Sequence, residues 1–472
     1  MKQWIPSVIV IGLLFATLAL PFAVRSRDQF VPASTDLKLV IITPHSKQIR
    51  SEYERAFDKW HRERFDESVQ IDWRVIGGSS DVKRLLFSEY SALAKLGREN
   101  DGVGYDLVFG GGDYLFDRQL KRGVSVDVSG KKRQVSVTEP IEFEPEFIAE
   151  VFPTAFIADK MLYDPDGHWW GAALSSFGIV YNRDLLKQLG LPEPTTWSDL
   201  TDAKYFNAIA LADPSHSGSI TVTYDAIIQR SGFVEGWSLL RRAAANARYF
   251  ASNSSQVPID VADGEAAAGM CIDFYGRYQS QAVGTDRVGY VSPRGMTVVT
   301  ADPIAVLRGT KRKALAKRFI RFLLTIEGQA LWNFQVGDPI GPVQTAVRRM
   351  PIRREMFTTY HDRLIDKVNP FDIAKALPPG TPSYFRVIST VLHSMAIDIH
   401  EPLKTAWQTI NNESDPARRD RMIAVFDELP FTQDSIASYP SAWKADPDQK
   451  EHDRLQWTEF FLARYRRVVS ME

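Results

Sequence analysis

The chain has 472 residues, of which 44% are hydrophobic and 24% charged, so it has the composition of a globular protein and is too long for a single core. Lys and Arg number 57 against 58 Asp and Glu, which gives a net charge of −1 and argues against nucleic acid as a partner. The basic segments, Arg348-Arg349 to Arg353-Arg354 and Arg464 to Arg467, are short, and we interpret them as solvated helix faces.

Residues 1–28 predict a signal sequence or a membrane anchor. Lys2 precedes an uncharged stretch from Gln3 to Val24, which is longer than the ~7–15 residues of a signal-peptide core and close to the ~20 of a spanning helix. The stretch has no A-x-A cleavage site, and no cysteine follows it to carry a lipid. We expect the rest of the chain to lie in the periplasm or at the cell surface, although Arg25 and Arg27 oppose that orientation.

From residue 37 the sequence repeats strand, loop and helix. The apolar run "LKLVIITP" ends at His45, "VQIDWRVIGG" leads into Ser79 and Ser80, and "YDLVFGGG" ends in Gly110 to Gly112. Such a repeat predicts a mostly parallel sheet, and ligands bind such sheets at the carboxyl ends of the strands. The loops after the first two strands are therefore candidate ligand contacts, whereas the glycines 110–112 indicate a close backbone approach.

A second cluster of strands and helices starts near residue 169. "AIALADP" is a predicted strand, and "AAGMCIDFYGRY" is another that we expect to end at Tyr275. Residues 288–309 form an extended crossing segment with two turns, and an amphipathic helix or helix pair follows it. Past about residue 345 the pattern becomes mainly helical.

The stretch "ADPSHSGSITVTYDAI" places Ser215, Ser217, Gly218 and Ser219 at the start of a predicted helix. One hydroxyl is enough to cap a helix, whereas free N–H groups and several hydroxyls together suit a bound anion. The excess of hydroxyls favours the anion site.

Motifs of catalysis and metal binding are lacking. The sequence has no H-E-x-x-H, G-x-x-x-x-G-K-[ST] or G-x-S-x-G. The single cysteine, Cys271, has apolar neighbours and predicts a buried, inert thiol. We therefore expect no enzyme and no resident cofactor, although scattered serines and histidines leave a hydrolase as the least favoured alternative.

The order of several segments resembles an extracytoplasmic solute-binding protein of an ABC importer, of the ferric-iron, thiamine and phosphonate or phosphoester branch. The resemblance covers roughly residues 37 to 345, and "GIVYNRDLLKQLGLPEPTTWSDL" is its most specific part. The other segments are "IITPH", "YDLVFGGGDYLFDRQLKRG", "LADPSHSGS", "VADGEAAAGMCIDFYGR" and "RFIRFLLTIEGQALW".

The resemblance implies an α/β, two-lobed periplasmic-binding-protein-like fold with a hinge, followed by a C-terminal mainly helical extension. Lobe one would comprise residues 37–172 and 302–345, lobe two residues 173–301, and the extension residues 346–472. It also implies a ligand held between the lobes, a monomer, and an ABC permease in the membrane as partner.

The resemblance places ten candidate ligand contacts at the cleft. They are His45, Ser79, Ser80, Ser175, Ser215, Ser217, Gly218, Ser219, Tyr275 and Tyr278. The ligand would be a phosphonate- or phosphoester-like anion, or ferric iron with an anion. For iron, His45 and Tyr275 are the candidate metal ligands, but iron-binding relatives carry adjacent tyrosines where this chain has Phe274-Tyr275. The alternative function is a membrane-anchored extracytoplasmic sensor or scaffold that uses the same fold.

Overall fold

A computed structural model describes residues 37–471. The predicted signal sequence or anchor, residues 1–28, lies outside the described residues. Within 37–471, no helix is both long enough and apolar enough to cross a membrane.

The described strands form two larger sheets and two short hairpins. In chain order they are β1 (Leu37–Ile42), β2 (Val69–Arg74), β3 (Leu107–Phe109), β4 (Val124–Val128), β5 (Lys131–Val135), β6 (Thr138–Glu139), β7 (Phe156–Ile157), β8 (Lys160–Met161), β9 (Trp170–Ser175), β10 (Phe177–Asn182), β11 (Ile209–Ala212), β12 (Ala247–Ala251), β13 (Ala268–Ile272), β14 (Val288–Val291), β15 (Thr300–Leu307) and β16 (Met350–Pro351).

Helices cover the sheets and make up most of the chain after residue 384. In chain order they are α1 (Lys47–Phe65), α2 (Ser79–Lys95), α3 (Pro145–Val151), α4 (Arg183–Leu189), α5 (Gly218–Ser231), α6 (Phe233–Ala245), α7 (Gln256–Asp263), α8 (Asp273–Val283), α9 (Lys313–Leu324), α10 (Ile326–Asn333), α11 (Pro370–Ile373), α12 (Phe385–Leu392), α13 (His400–Asn412), α14 (Pro416–Phe426), α15 (Gln433–Ala445) and α16 (Pro447–Val469).

Each lobe is built on one mixed sheet. The lobe-one sheet has the order β16-β9-β15-β3-β1-β2, with β6 also paired to β15, and the lobe-two sheet has the order β12-β11-β13-β10-β14. The prediction of a mostly parallel sheet was wrong. Only β1 with its two neighbours and β11 with its two neighbours pair in parallel. The strands next to the crossings, β9, β10, β14 and β15, pair antiparallel because the chain returns between the lobes there.

Two separate hydrophobic cores confirm the two-lobed α/β fold. The first contains side chains from Leu39 to Leu174 and from Val299 to Leu364, with Phe274 added from α8. The second contains side chains from Phe177 to Val298, and it continues into the helical extension from Tyr384 to Val468. The extension is therefore part of the lobe-two core, because the apolar faces of its helices are buried there.

Lobe one continues past its expected end at residue 345. Strand β16 pairs with β9 at the edge of the lobe-one sheet, and Met356, Phe357 and Leu364 are buried in the same core. The mainly helical layer begins only at α12.

The basic segment near β16 does not form a solvated helix face, contrary to prediction. Arg349 and Arg353 are each 2% exposed, and Arg348 pairs with Asp366. Arg353 pairs with Glu150 and lies 3.1 Å from Glu355. Each guanidinium has a carboxylate partner, which compensates for removing the charge from water.

Candidate functional site

The cleft between the lobes brings together loops at the ends of strands. On lobe one, His45 follows β1, and the glycines 110–112 follow β3. On lobe two, the loop after β11 leads into the N-terminus of α5. This arrangement follows from the rule that loops at the carboxyl ends of parallel strands share one edge of a sheet.

The N-termini of α2 and α5 meet across the cleft. A Cβ atom added to Gly218 would lie 3.3 Å from the Ser79 hydroxyl oxygen, and one added to Gly78 would lie 3.6 Å from the His216 carbonyl oxygen. The Asp81 carboxylate accepts the Gly78 N–H at 2.9 Å and so caps α2. Capping therefore does not require the hydroxyls of Ser79 and Ser80. Two helix N-termini therefore present positive dipole ends to the same region.

Ser217 joins a cluster of hydroxyls at the start of α5. Its Oγ accepts the N–H of Ile220 at 3.4 Å, lies 3.0 Å from the Ser219 Oγ, and donates to the Ser254 Oγ at 2.9 Å. The N–H contact is a weak cap, so the cluster provides more hydroxyls than capping needs. Sequence reasoning missed Ser254, although its position in a polar loop shortly after β12 is the same signal that identified Ser79.

Ser215 is not part of this cluster. It is exposed, and its backbone N–H is bound to Asp213 Oδ1 at 2.7 Å. Of the five residues 215–219, the structure therefore brings Ser217, Gly218 and Ser219 to the helix start.

His45 lies in a buried ionic cluster below the cleft. Its Nε2 is 2.8 Å from Asp302 Oδ2 and 3.1 Å from Arg349 Nη1. Arg349 is also 2.9 Å from Asp302 and donates to the Ser175 hydroxyl at 2.8 Å. The cluster joins β1, β9, β15 and the β16 segment, so His45 and Ser175 hold lobe one together where the chain crosses.

Burial and charge set the protonation of this cluster. Burial lowers the pKa of His45 below its usual value and outweighs the attraction of Asp302. Burial alone would raise the pKa of the Asp302 carboxyl, but Arg349 and His45 hold it far below its usual range. The cluster therefore contains an ionised carboxylate paired with a guanidinium, next to a histidine whose neutral form is favoured.

Tyr275 and Tyr278 lie on helix α8, and the prediction that a strand runs to Tyr275 was wrong. Strand β13 ends at Ile272, because Asp273 begins the helix and accepts the N–H of Ser176 at 3.0 Å. Residues three apart share a helix face, so both tyrosines line one cavity of about 160 Å³ between the lobes. The cavity is otherwise lined by Ser46, Gln48, Ile49, Ser255, Pro258, Ile259, Phe274, Gln279, Thr345, Ala346 and Val347.

The described residues hold no group of three or more His, Cys, Asp or Glu side chains that could bind a metal ion. Burial raises the pKa of Tyr275, which disfavours the phenolate that ferric iron prefers. The buried Cys271 also has its pKa raised by burial, as expected for an inert thiol.

A second, larger cavity lies on lobe one and is more open to solvent. It has a volume of about 470 Å³ and is lined by Lys38, Asp72, Arg74 and Arg312, among others. Lys38 and Arg74 are both paired with Asp72, and Arg312 is paired with Asp106. Because these cations are already neutralised within lobe one, the cleft is the better candidate site.

His393 of the extension holds the loop that leads to the hydroxyl cluster. Its Nε2 is 3.2 Å from Asp213 Oδ1, and its Nδ1 is 2.9 Å from Asp398 Oδ1. Both acceptors are carboxylates, so the ring binds both only as the imidazolium. The hydrogen bond to Asp213 raises the pKa of His393, and hydrogen bonds to His393 and Ser215 outweigh burial and lower the pKa of Asp213 to about 2.

This contact predicts a stability that falls as the pH rises. The folded pKa of His393 is above its unfolded value near 6.5, so the stabilisation is complete below that value and is lost as the pH rises through the folded pKa. Arg454 also pairs with Asp398, and the His216 Nε2 lies 3.9 Å from Asp213 Oδ2. We expect His393→Gln to remove about 1 kcal/mol of this pH dependence.

Urea unfolding at pH 5.5 and pH 8.5 gives the change in unfolding free energy with pH for the wild type and for His393→Gln. The difference between these two changes measures the contribution of His393. The exposed His452, replaced by Gln, is the control. Identical pH dependence in the wild type and His393→Gln would contradict the assignment.

Parts of this chain are similar to known proteins. Residues 136–368 match the family model of the bacterial extracellular solute-binding protein. The phosphoglycerate transport regulatory protein of Salmonella typhimurium is 23% identical over 313 residues, covering 63% of this chain and 72% of that protein. The fructose-6-phosphate-bound periplasmic binding protein AfuA of Actinobacillus pleuropneumoniae is 19% identical, with a TM-score of 0.49 over 63% of this chain and 82% of that one. Iron-bound HitA of Pseudomonas aeruginosa is 18% identical, with a TM-score of 0.49 over 73% of this chain and 94% of that one.

Proposed function

We propose that this chain captures a small phosphoester- or phosphonate-like anion between its lobes, since residues 136–368 match the family model of the bacterial extracellular solute-binding protein. The family binds solutes outside the cytoplasm and is not catalytic. The single observation that carries the proposal is the meeting of two helix N-termini, at Ser79 and Gly218, across the cleft.

The chemistry of the cleft suits an anion better than ferric iron. The Ser217 hydroxyl lies 3.0 Å from the Ser219 hydroxyl and 2.9 Å from the Ser254 hydroxyl, and such hydroxyls donate to phosphate oxygens. The Arg349 guanidinium lies 3.1 Å from the His45 Nε2, where it would repel a metal cation. The Salmonella relative is named for phosphoglycerate transport, which agrees with this choice.

In this proposal the two lobes close on the ligand and an ABC permease receives it. The dipoles of α2 and α5 would act on one anionic group, and the cavity beside Tyr275 and Tyr278 would hold its organic part. Lobe closure requires that the ligand bind the closed form more tightly than the open one. We propose a monomer in the periplasm or at the cell surface, held there by the N-terminal segment if that segment stays uncleaved.

A thermal-shift screen of residues 29–472 tests the ligand class. Phosphoglycerate, fructose-6-phosphate, a phosphonate, inorganic phosphate, thiamine and ferric citrate are compared at equal concentration. A ligand at 100 times its Kd stabilises the folded protein by about 2.7 kcal/mol, so its melting temperature rises measurably. A shift with ferric citrate alone, or with none of them, would contradict the proposal.

Ser217→Ala is expected to weaken binding of the best phosphoester by about 10- to 100-fold, because a hydrogen bond to a charged group contributes about 1.5–3 kcal/mol. Ser215→Ala is the matched control: its side chain is exposed and lies outside the cluster, and we expect no change in affinity. Calorimetric titration of both variants measures the effect. Equal losses in the two variants would contradict the assigned site.

A second function, an extracytoplasmic sensor, is favoured by the helical extension. The extension shares one core with lobe two, so lobe closure would move the extension relative to lobe one. The Salmonella relative is named as a transport regulatory protein. A deletion strain that expresses its transporter from a constitutive promoter separates the two functions, since transport would survive only if the protein is a sensor.

A further inference from the structure

The chain passes between the lobes a third time, after the two crossings at β9–β10 and β14–β15. Ala374 packs against the lobe-one core, and Tyr384 is buried in the lobe-two core. Residues 375–386, which we call the strap, make this crossing. The strap lies beyond the segment 136–368 that matches the family, so the family match does not account for it.

The strap is fixed to lobe two along helix α5. Arg230 donates to the Lys375 carbonyl at 2.7 Å, near the C-terminal end of the helix. Asp225 accepts both the Ser383 hydroxyl and the Tyr384 N–H at 2.7 Å. Because α5 also carries the hydroxyl cluster at its N-terminus, one helix holds both the strap and the end of lobe two that is proposed to bind the anion.

The end of the strap contacts lobe one. The Phe385 ring stacks on the Tyr114 ring, with centroids 4.1 Å apart and planes 29° from parallel. The Arg386 Nε donates to the Tyr114 hydroxyl at 3.1 Å. Tyr114 follows the Gly110 to Gly112 loop, so this contact lies on the cleft side of lobe one.

We propose that Tyr114 with Phe385 and Arg386 forms a latch that favours the closed arrangement of the lobes before any ligand binds. The strap moves with lobe two, so separating the lobes pulls Phe385 off Tyr114. A stacked aromatic pair of this kind shifts an equilibrium by roughly two- to tenfold. The latch raises the closed, binding-competent fraction, and the apparent affinity for any ligand rises by the same factor. This inference does not depend on which ligand the cleft takes.

Fluorescence energy transfer between the lobes, without ligand, tests the latch. The exposed Lys95 of lobe one and Lys187 of lobe two are replaced by cysteine and labelled in residues 29–472, while the native Cys271 is buried and stays unlabelled. We expect Phe385→Ala and Tyr114→Ala each to raise the open-to-closed ratio about two- to tenfold. The double variant should raise it no further than the larger single effect, because both remove the same contact.

Phe460→Ala is the matched control, since Phe460 contacts Phe461 and Arg464 within the extension. We expect it to leave the open-to-closed ratio unchanged. Phe385→Leu and Tyr114→Leu replace any alanine variant that fails to show a cooperative thermal transition, and they also lose the stack. An unchanged ratio in either single variant, or fully additive effects in the double variant, overturns the latch.

Discussion

We expect the replacement of Arg349 with alanine to lower the free energy of unfolding by about 3–5 kcal/mol, because the change leaves a buried charge without its partner. Arg349 is 2% exposed, lies 2.9 Å from Asp302 and donates to Ser175. Without it, the ionised Asp302 would keep only its bonds with His45 and with the Gly111 N–H at 3.1 Å. Urea unfolding at pH 7 measures the loss.

Two further variants make this result specific. Arg349→Lys keeps the charge but not the two-pronged geometry, so we expect it to recover only part of the stability. Arg419→Ala removes an exposed arginine of the extension and should change stability by no more than about 0.5 kcal/mol. A loss below about 1 kcal/mol for Arg349→Ala would show that the cluster does not hold lobe one together.

Replacing Gly218 with leucine should abolish lobe closure and weaken phosphoester binding by at least about 100-fold. A Cβ atom at this position already lies 3.3 Å from the Ser79 hydroxyl, so the larger side chain would occupy the space where the two helix N-termini meet. Gly218 begins helix α5, and leucine favours helices by about 1 kcal/mol over glycine, so folding should not suffer.

Gly218→Ala separates this steric effect from the loss of glycine itself. Alanine needs a shift of only a few tenths of an ångström at a flexible hydroxyl, so we expect nearly normal binding. Calorimetric titration with the best phosphoester measures both variants, and their melting temperatures check folding. Normal binding by the leucine variant would mean that the two N-termini do not enclose the ligand.

The sequence was enough to predict the fold class, because each element that carried the prediction is locally encoded. The side chains of Ile49, Tyr53, Phe57 and Trp60, spaced for one helix face, are all buried on α1. The apolar run from Leu37 is the buried strand β1. Strand direction was predicted less well, since the antiparallel return of β15 depends on where the chain crosses between lobes and not on local pattern.

The candidate site could be predicted only where a short loop carries its own signal. The run from Ser217 to Ser219 was visible as hydroxyls before a helix, and the structure places it at the cleft. Arg349 was not visible as a site residue, because its partners Asp302 and His45 lie 47 and 304 positions away in the chain. When the sequence does not reveal those partners, a pair of arginines has the pattern of a solvent-exposed surface.

The extension illustrates the same limit. Its helices were predicted from the spacing of Ile388, Val391, Leu392 and Met395, which are all buried. Amphipathic spacing shows that one face must be covered but does not identify the surface that covers it. The structure supplies that surface, lobe two, together with the strap that returns to Tyr114.

A crystal structure of residues 29–472 grown with the phosphoester that gives the largest thermal shift tests the central claim most directly. We predict the phosphate group between the N-termini of α2 and α5, within about 3 Å of the Ser79 and Ser217 hydroxyls. A phosphate bound outside the cleft, or an anomalous iron signal beside Tyr275, would contradict the account.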